Sequence, residues 1–235
     1  MANRMWSYFL SKGIIDPVDD VRISNPASNA ELLDALGAKF TEYGYDFKKL
    51  VRDICTSRTY QLSTRANETN GGDDRNFAKA IVRRLRAEVL LDCISQVTET
   101  KDKFAGIPKG ARAVQIPDGN TSGYFLTTFG RATRETVCSC EVKMEPNLSQ
   151  ALHLLNGTTA EGKIKEGGLV KALLKAGKSR EAVLDDLYLR ALGRPPTGTE
   201  RVKLTSFFGD PKTDEQVLND LFWALLNAKE FVFNH

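Results

Sequence analysis

Apolar residues recur at helical spacing along most of the chain, and this pattern predicts a mainly α-helical protein. The opening stretch MWSYFL is typical of a helix that already belongs to a fold. Ser28 and Glu31 form a capping box ahead of a second apolar stripe that Gly44 ends, and a third stripe begins at Asp46. The apolar positions between 73 and 100 predict the longest helix of the chain.

The centre of the chain, from 104 to 128, departs from this pattern because glycine and proline recur there. The aromatic stretch 124–129 favours β-structure. We therefore predict a loop-rich centre that carries one or two short strands.

Helical patterns return after the centre and predict a C-terminal helical bundle. They cover 148–156, 169–176 and 180–192, and two capping boxes follow, Thr197 with Glu200 and Thr213 with Gln216. Gly167 and Gly168 predict a hinge between an N-terminal helical region, 1–166, which includes the loop-rich segment, and a C-terminal helical subdomain, 167–235. One continuous domain is the alternative.

The charges of the chain are close to balanced, with 33 Lys and Arg against 30 Asp and Glu and a net charge of +3. Both signs are interspersed, so nucleic acid is not an expected partner. No run of about 18 apolar residues occurs, so no membrane span is predicted. The N-terminus lacks a continuous hydrophobic region and a small-residue cleavage site, so we predict no signal peptide in this chain.

Potential chemistry is concentrated between 129 and 156, in FGRATRETVCSCEVKMEPNLSQALHLLN. Cys138 and Cys140 stand on alternate residues, where two thiols can bind a soft metal or act as a redox pair. His153 is the candidate that would complete a metal site with them, and Glu141 adds a carboxylate. The alternatives are two packed or disulfide-bonded cysteines in a structural turn and a histidine with one edge against the core.

The cysteines also limit the cofactors that this chain can attach. Four occur, at positions 55, 93, 138 and 140, and none forms a CxxCH motif. We therefore expect no covalently bound haem in this chain, and the sequence identifies no other cofactor.

Four arginines are candidates for an anion-binding site. Arg131 and Arg134, together with Arg83 and Arg84, could bind a carboxylate, a phosphate or a sulfated sugar, because guanidinium groups pair with planar oxyanions. The alternative is a structural network of salt bridges to nearby glutamates, which include Glu88, Glu135 and Glu141.

Several of these stretches resemble, in collinear order, the planctomycete-type family of domains of unknown function 1553. They are the opening NRMWSYFLSKG, LVRDICTSRTYQLST, RRLRAEVLLD, the FGR, CSCE and QALHLLNG elements of the central passage, LYLRALGRPPTGTE and the terminal LFWALLNAKEFVFNH. The resemblance covers nearly the whole chain.

The resemblance implies a context rather than a reaction. Such domains usually form the C-terminal part of large exported proteins, often with an upstream cytochrome-c-like haem domain, and have been linked to polysaccharide breakdown by association. It thus implies a periplasmic or secreted location. The implied partners are upstream domains of the same polypeptide and polysaccharide.

Two functional hypotheses follow. The first is a helical module that serves as a scaffold or binds a ligand or partner within a larger haem-associated protein. The second is a metal- or thiol-dependent enzyme or redox domain with its site at Cys138, Cys140, Glu141 and His153. The distances among these side chains distinguish the two hypotheses.

Overall fold

A computed structural model of the chain describes residues 1–119, 121, 123–135, 142, 145 and 147–234. The described chain is mainly helical, which confirms the predicted fold class. It divides into two compact units, Met1–Arg83 and Arg84–Asn234.

The first unit consists of three helices and the segment that follows them. The helices are α1 (Ala2–Leu10), α2 (Ala30–Glu42) and α3 (Phe47–Thr56). Their apolar faces bury Trp6, Phe40 and Leu50 in one core. Phe77 from the following segment packs its ring edge-on against Trp6, with the ring centroids 5.3 Å apart.

The caps of these helices agree with the sequence in one case and differ in the other. Asp46 caps α3 as predicted, because its carboxylate accepts hydrogen bonds from the backbone N–H groups of Lys48 and Lys49. The cap of α2 is Asn29, one residue after the predicted Ser28. The Ser28 hydroxyl instead donates to the backbone oxygen of Ile14 at 3.1 Å. The hydroxyl that was predicted to cap α2 thus makes a tertiary hydrogen bond instead.

The long helix predicted from 73 to 100 is wrong in its first half. Only α4 (Ala87–Val97) is helical. The Asp73 carboxylate closes a turn by accepting from the backbone N–H groups of Asn76 and Ala78 at 2.9 and 2.8 Å. Phe77 has a positive φ of 57°, which is incompatible with a right-handed helix.

The second unit contains the remaining helices. After α4 come α5 (Tyr124–Thr128), α6 (Leu148–Asn156), α7 (Thr158–Gly167), α8 (Leu169–Lys175), α9 (Arg180–Leu192), α10 (Gly198–Thr205), α11 (Asp214–Leu226) and α12 (Lys229–Val232), with short 3-10 turns at Ala113–Gln115 and Pro211–Thr213. The strands β1 (Arg83–Arg84) and β2 (Phe233–Asn234) form a two-stranded sheet.

Two of these helices differ from the prediction. The stretch 124–128, predicted as β-structure, is the short helix α5, whose Phe125 and Leu126 enter the core. Helix α7 was not predicted, although Thr158 and Glu161 have the spacing of a capping box. Gly162 weakens the helical pattern in its middle, since glycine is among the poorest helix formers.

Helices α9 and α11 pack side by side at the centre of the second unit. Leu184 and Leu187 of α9 and Leu218 and Phe222 of α11 are all fully buried. The Thr197 capping box of α10 is confirmed, with both reciprocal hydrogen bonds present. The capping box predicted for Thr213 and Gln216 is wrong, because the Thr213 side chain makes no capping hydrogen bond to α11.

Gly168 ends α7 with a positive φ of 57° and leads directly into α8. It allows a sharp change of direction at the predicted hinge. The domain division at this point stays a prediction. In the part of the chain that the structure describes, no helix is long and apolar enough to cross a membrane.

Candidate functional site

A cleft with a volume of about 870 Å³ opens in the second unit and is referred to below as the central cleft. It is formed by α5, α6, α7 and side chains of α4 and the loop after it. The lining residues are Leu91, Asp102, Phe104, Gly123, Tyr124, Phe125, Leu126, Ser149, Leu152, His153, Gly157, Thr158, Thr159, Gly162, Lys163 and Glu166.

Helix α7 forms one wall of the central cleft. Positions on a helix that are spaced by about one turn share one face. Thr159, Lys163 and Glu166 all line the cleft at this spacing. Gly162 lies on the same wall, and a Cβ atom built there meets no other atom within 4 Å. The glycine therefore leaves room that a larger side chain would fill.

A partly buried ion pair lies at the α7 wall. The Lys163 ammonium lies 2.6 Å from the Asp102 carboxylate, and the two side chains are only 11% and 18% exposed. Lys163 also approaches the Thr100 hydroxyl at 3.4 Å, and the Ser95 hydroxyl donates to the other carboxylate oxygen of Asp102. The pair thus has further polar partners on both sides, as a buried charge pair requires.

The close approach of α7 to the end of α4 makes this pair possible. Gly167 lies against the backbone of Thr98, and a Cβ atom on Gly167 would come within 1.9 Å of the Thr98 carbonyl oxygen. Only glycine fits there without displacement of the backbone. This contact sets the separation between α7 and the segment that carries Thr100 and Asp102.

Helix α6 forms the second wall and is fixed at its first turn. The Asn147 side chain accepts from the backbone N–H of Gln150 at 2.9 Å and so caps the helix. The Gln150 amide donates to the Thr128 carbonyl oxygen at 3.1 Å, which ties α6 to the end of α5. These bonds place His153 at the cleft.

His153 is enclosed by aromatic rings. Its ring centroid lies 5.2 Å from that of Tyr124, 5.5 Å from Phe125 and 5.8 Å from Phe129. Phe125 and Phe129 stack on each other at 4.3 Å. Tyr124 is the outermost ring, with 74% of its surface exposed at the cleft.

One ring nitrogen of His153 has a hydroxyl partner. Nε2 lies 2.9 Å from the Thr159 hydroxyl. On the other side of the imidazole ring, a Cβ atom at Gly157 would lie 2.7 Å from Nδ1 of His153. The glycine therefore avoids a clash with the ring. Burial lowers the pKa of His153, because the charged imidazolium is poorly solvated among the rings. The histidine is therefore neutral at neutral pH.

The lowered pKa of His153 predicts that acid destabilises the protein through this residue. The unfolded chain, with an imidazole pKa of about 6.5, binds the proton more readily than the folded chain. The contribution of His153 to the free energy of unfolding therefore has its full value above about pH 6.5 and falls as the pH is lowered towards the folded pKa. The loss at pH 5 is at most about 2 kcal/mol.

Urea unfolding of wild type and His153→Phe between about pH 7.5 and pH 5 measures this contribution. Phenylalanine keeps a ring among Tyr124, Phe125 and Phe129 but does not titrate in this range. The wild type is expected to lose more stability than the variant over the interval. Equal losses would show that His153 binds its proton as easily in the folded chain as in the unfolded one.

The Arg84 side chain is buried in the interior of the second unit and makes hydrogen bonds there. Its guanidinium donates to the carbonyl oxygens of Leu85 and Phe129 at 3.0 and 2.8 Å and lies over the Phe129 ring at 5.3 Å. Arg83 is half-buried in β1. Arg84 thus holds the C-terminal end of α5, the helix that carries two of the aromatic rings around His153.

Arg131 and Arg134 are brought together on one segment of backbone. Arg131 donates to the carbonyl oxygens of Asp118 and Thr121 and forms an ion pair with Glu88 at 3.3 Å. Arg134 donates to the Pro117 carbonyl oxygen at 2.9 Å. These contacts support a structural role, and anion binding by the four arginines stays a prediction.

The predicted metal or thiol site involves residues that the structure does not describe. Cys138, Cys140 and Glu141 lie outside the described residues, so their use with His153 stays a prediction. Among the residues that are described, no cluster of three or more His, Cys, Asp or Glu side chains fits a metal ion. Burial raises the pKa of Cys55 and of Cys93, so both thiols are protonated at neutral pH.

The sequence predicted only one member of the central cleft, His153. The sequence pattern places Tyr124 in a stretch that favours β-structure and leaves Asp102 unassigned between 73–100 and 104–128. It does not predict the helix that carries Lys163 and Glu166. The capping-box spacing of Thr158 and Glu161 is the sequence signal for a helix here, although the observed N-cap of α7 is Gly157, without a side-chain capping bond. Regular spacing along α7 would then have placed Lys163 and Glu166 close to one face.

Comparison with known proteins identifies a family. A family model described as PSD1, protein of unknown function (DUF1553), matches residues 1–208 of the 235-residue chain. No curated protein and no solved structure matches the chain.

Proposed function

This chain belongs to the DUF1553 family of proteins of unknown function, and we propose that it is a ligand-binding module that takes a carbohydrate in the central cleft. The supporting observation is the combination of an exposed aromatic ring, Tyr124, with hydroxyl and carboxylate groups in one cleft of about 870 Å³. This volume lies within the usual range for small-molecule sites.

The chemistry of the lining suits a sugar. A sugar ring has an apolar face of C–H groups, which packs on an aromatic ring such as Tyr124. Its hydroxyls both donate and accept hydrogen bonds, and Ser149, Thr158 and Glu166 line the cleft with groups that can pair with them. Polar groups placed beside apolar and aromatic ones are typical of sites that orient a ligand.

The family resemblance supplies the wider context of the proposal. We place this module in a larger exported protein, periplasmic or secreted, in which upstream domains, including a cytochrome-c-like haem domain, are its partners in the same polypeptide. In that setting the central cleft would hold a polysaccharide chain near those domains.

Gly162→Leu is the variant that tests the proposed site. The new side chain projects into open space at the cleft wall, so it is expected to fill the cleft without disturbing the fold. We expect oligosaccharide binding with a dissociation constant at or below about 1 mM in the wild type and at least a tenfold weaker affinity in the variant. Titration calorimetry with cello-, xylo- and chito-oligosaccharides provides the measurement.

Gly37→Leu is the matched control. Gly37 lies within α2 of the first unit, and a Cβ atom there also meets nothing within 4 Å. This variant is expected to bind as the wild type does. Absence of binding by any of the three sugar classes at millimolar concentration, or equal binding by all three proteins, would contradict the proposal.

A further inference from the structure

The charges of the described residues that line the central cleft do not balance. Four such side chains among the described lining residues carry or could carry charge near neutral pH, namely Asp102, Lys163, Glu166 and His153. Asp102 and Lys163 neutralise each other at 2.6 Å. His153 is neutral for the reason given above. One negative charge, that of Glu166, is therefore left over.

Glu166 is available to a ligand. Its side chain is exposed at the cleft and, within the part of the chain that the structure describes, it makes no hydrogen bond or ion pair. Lys163, three residues earlier, is held by Asp102 and does not compete for it. A carboxylate in this position stabilises a positive charge inside the cleft.

The aromatic side of the cleft has the same preference. The Tyr124 ring is exposed at the cleft. The face of an aromatic ring attracts cations through its quadrupole. A ligand with an ammonium group can therefore gain from the carboxylate and from the ring. A ligand with a carboxylate or sulfate group meets only the repulsion of Glu166, since the nearby lysine is already paired.

We propose that the central cleft selects amine-bearing sugars over neutral and acidic ones, with Glu166 as the residue that determines this selectivity. The inference rests on the proposed carbohydrate-binding function and adds the charge class of the ligand. Because Glu166 is exposed, the effect is limited to that of a solvent-accessible ion pair with a cation–π contribution, about threefold to tenfold in affinity.

The test compares three trisaccharide probes at a slightly acidic pH where the amine is charged. They are a glucosamine trisaccharide, its fully N-acetylated counterpart of the same linkage, and a galacturonic acid trisaccharide. The wild type is expected to bind the amine-bearing probe about threefold to tenfold more tightly than the N-acetylated one, and the acidic one least well. Added salt should reduce this preference, because it screens exposed charges.

Glu166→Gln is expected to lose the preference for the amine, so that its affinities for the amine-bearing and the N-acetylated probe become about equal to each other. Glu161→Gln is the matched control, since it removes the same charge from the same helix at a residue that pairs with Lys165 and does not line the central cleft. It should retain the preference. A change in both variants would assign the effect to the net charge of the protein and overturn the inference.

The possible failures can be told apart. Equal binding of the amine-bearing and N-acetylated probes by the wild type, with weaker binding in Gly162→Leu, would overturn the charge selectivity and leave the carbohydrate site standing. No binding of any probe would overturn the carbohydrate site, and the selectivity with it.

Discussion

Replacing Gly167 with alanine is expected to lower the free energy of unfolding by about 3 kcal/mol. The added Cβ would lie 1.9 Å from the Thr98 carbonyl oxygen and 3.4 Å from the Thr100 side chain. The first distance is more than 1 Å shorter than a normal contact, and its partner is backbone. Helix α7 must therefore move away from α4 to accommodate the methyl group.

Gly162→Ala provides the matched control in the same helix. Its Cβ meets nothing within 4 Å, so alanine gains helix propensity without a clash and is expected to stabilise the protein by about 1 kcal/mol. The two variants make the same chemical change five residues apart and should act with opposite signs. Urea unfolding followed by circular dichroism measures both.

The movement of α7 in Gly167→Ala should also alter the central cleft, because Lys163 moves with the helix while Asp102 stays with the loop. We expect this variant to bind sugar more weakly than Gly162→Ala does. Stabilisation by Gly167→Ala similar to that by Gly162→Ala would show that α7 and Thr98 are not in close contact.

Removing the carboxylate of Asp102 by substitution with alanine is expected to destabilise the protein by about 2 to 3 kcal/mol. Lys163, which is only 11% exposed, would lose its acidic partner, and Ser95 would lose a hydrogen-bond acceptor. The loss of a partner usually costs more than the pair itself contributes, because a desolvated charge is left behind.

Glu161→Ala is the control for the loss of an ion pair. It removes the acidic partner of Lys165 on the same helix, but both of those side chains are more than half exposed. Exposed pairs contribute little, so the expected loss is below about 1 kcal/mol. Chemical denaturation at neutral pH compares the two variants. Equal losses would mean that water reaches the Asp102 and Lys163 pair freely.

Local sequence patterns were sufficient where a helix carries its own cap and apolar stripe. The Asp46 cap, the Thr197 and Glu200 box and the stripe of α9 were all predicted and observed. In these segments the hydrogen bonds that begin the helix come from residues within it or next to it. The fold class could be predicted for the same reason.

Elsewhere tertiary contacts decided against the local preference. The apolar pattern of 73–86 suits a helix, but Phe77 packs against Trp6 and the backbone of Leu85 donates to Val232 at 3.0 Å. The aromatic stretch that begins at Tyr124 favours strands as an isolated sequence, yet it forms α5, which Gln150 and Arg84 hold through carbonyl oxygens. Burial and hydrogen bonding to distant segments exceeded the small differences in intrinsic propensity.

The sequence by itself determined the helical class, the family resemblance and the choice of His153 as a candidate site residue. Only the tertiary structure brought Asp102 to Lys163 across 61 residues and left Glu166 with an unbalanced charge in a cleft beside Tyr124. The physical reason is that helix formation depends on neighbours in the chain. The charge balance of a cleft depends instead on which distant groups become close enough to pair, and here the contact of Gly167 with Thr98 sets that distance.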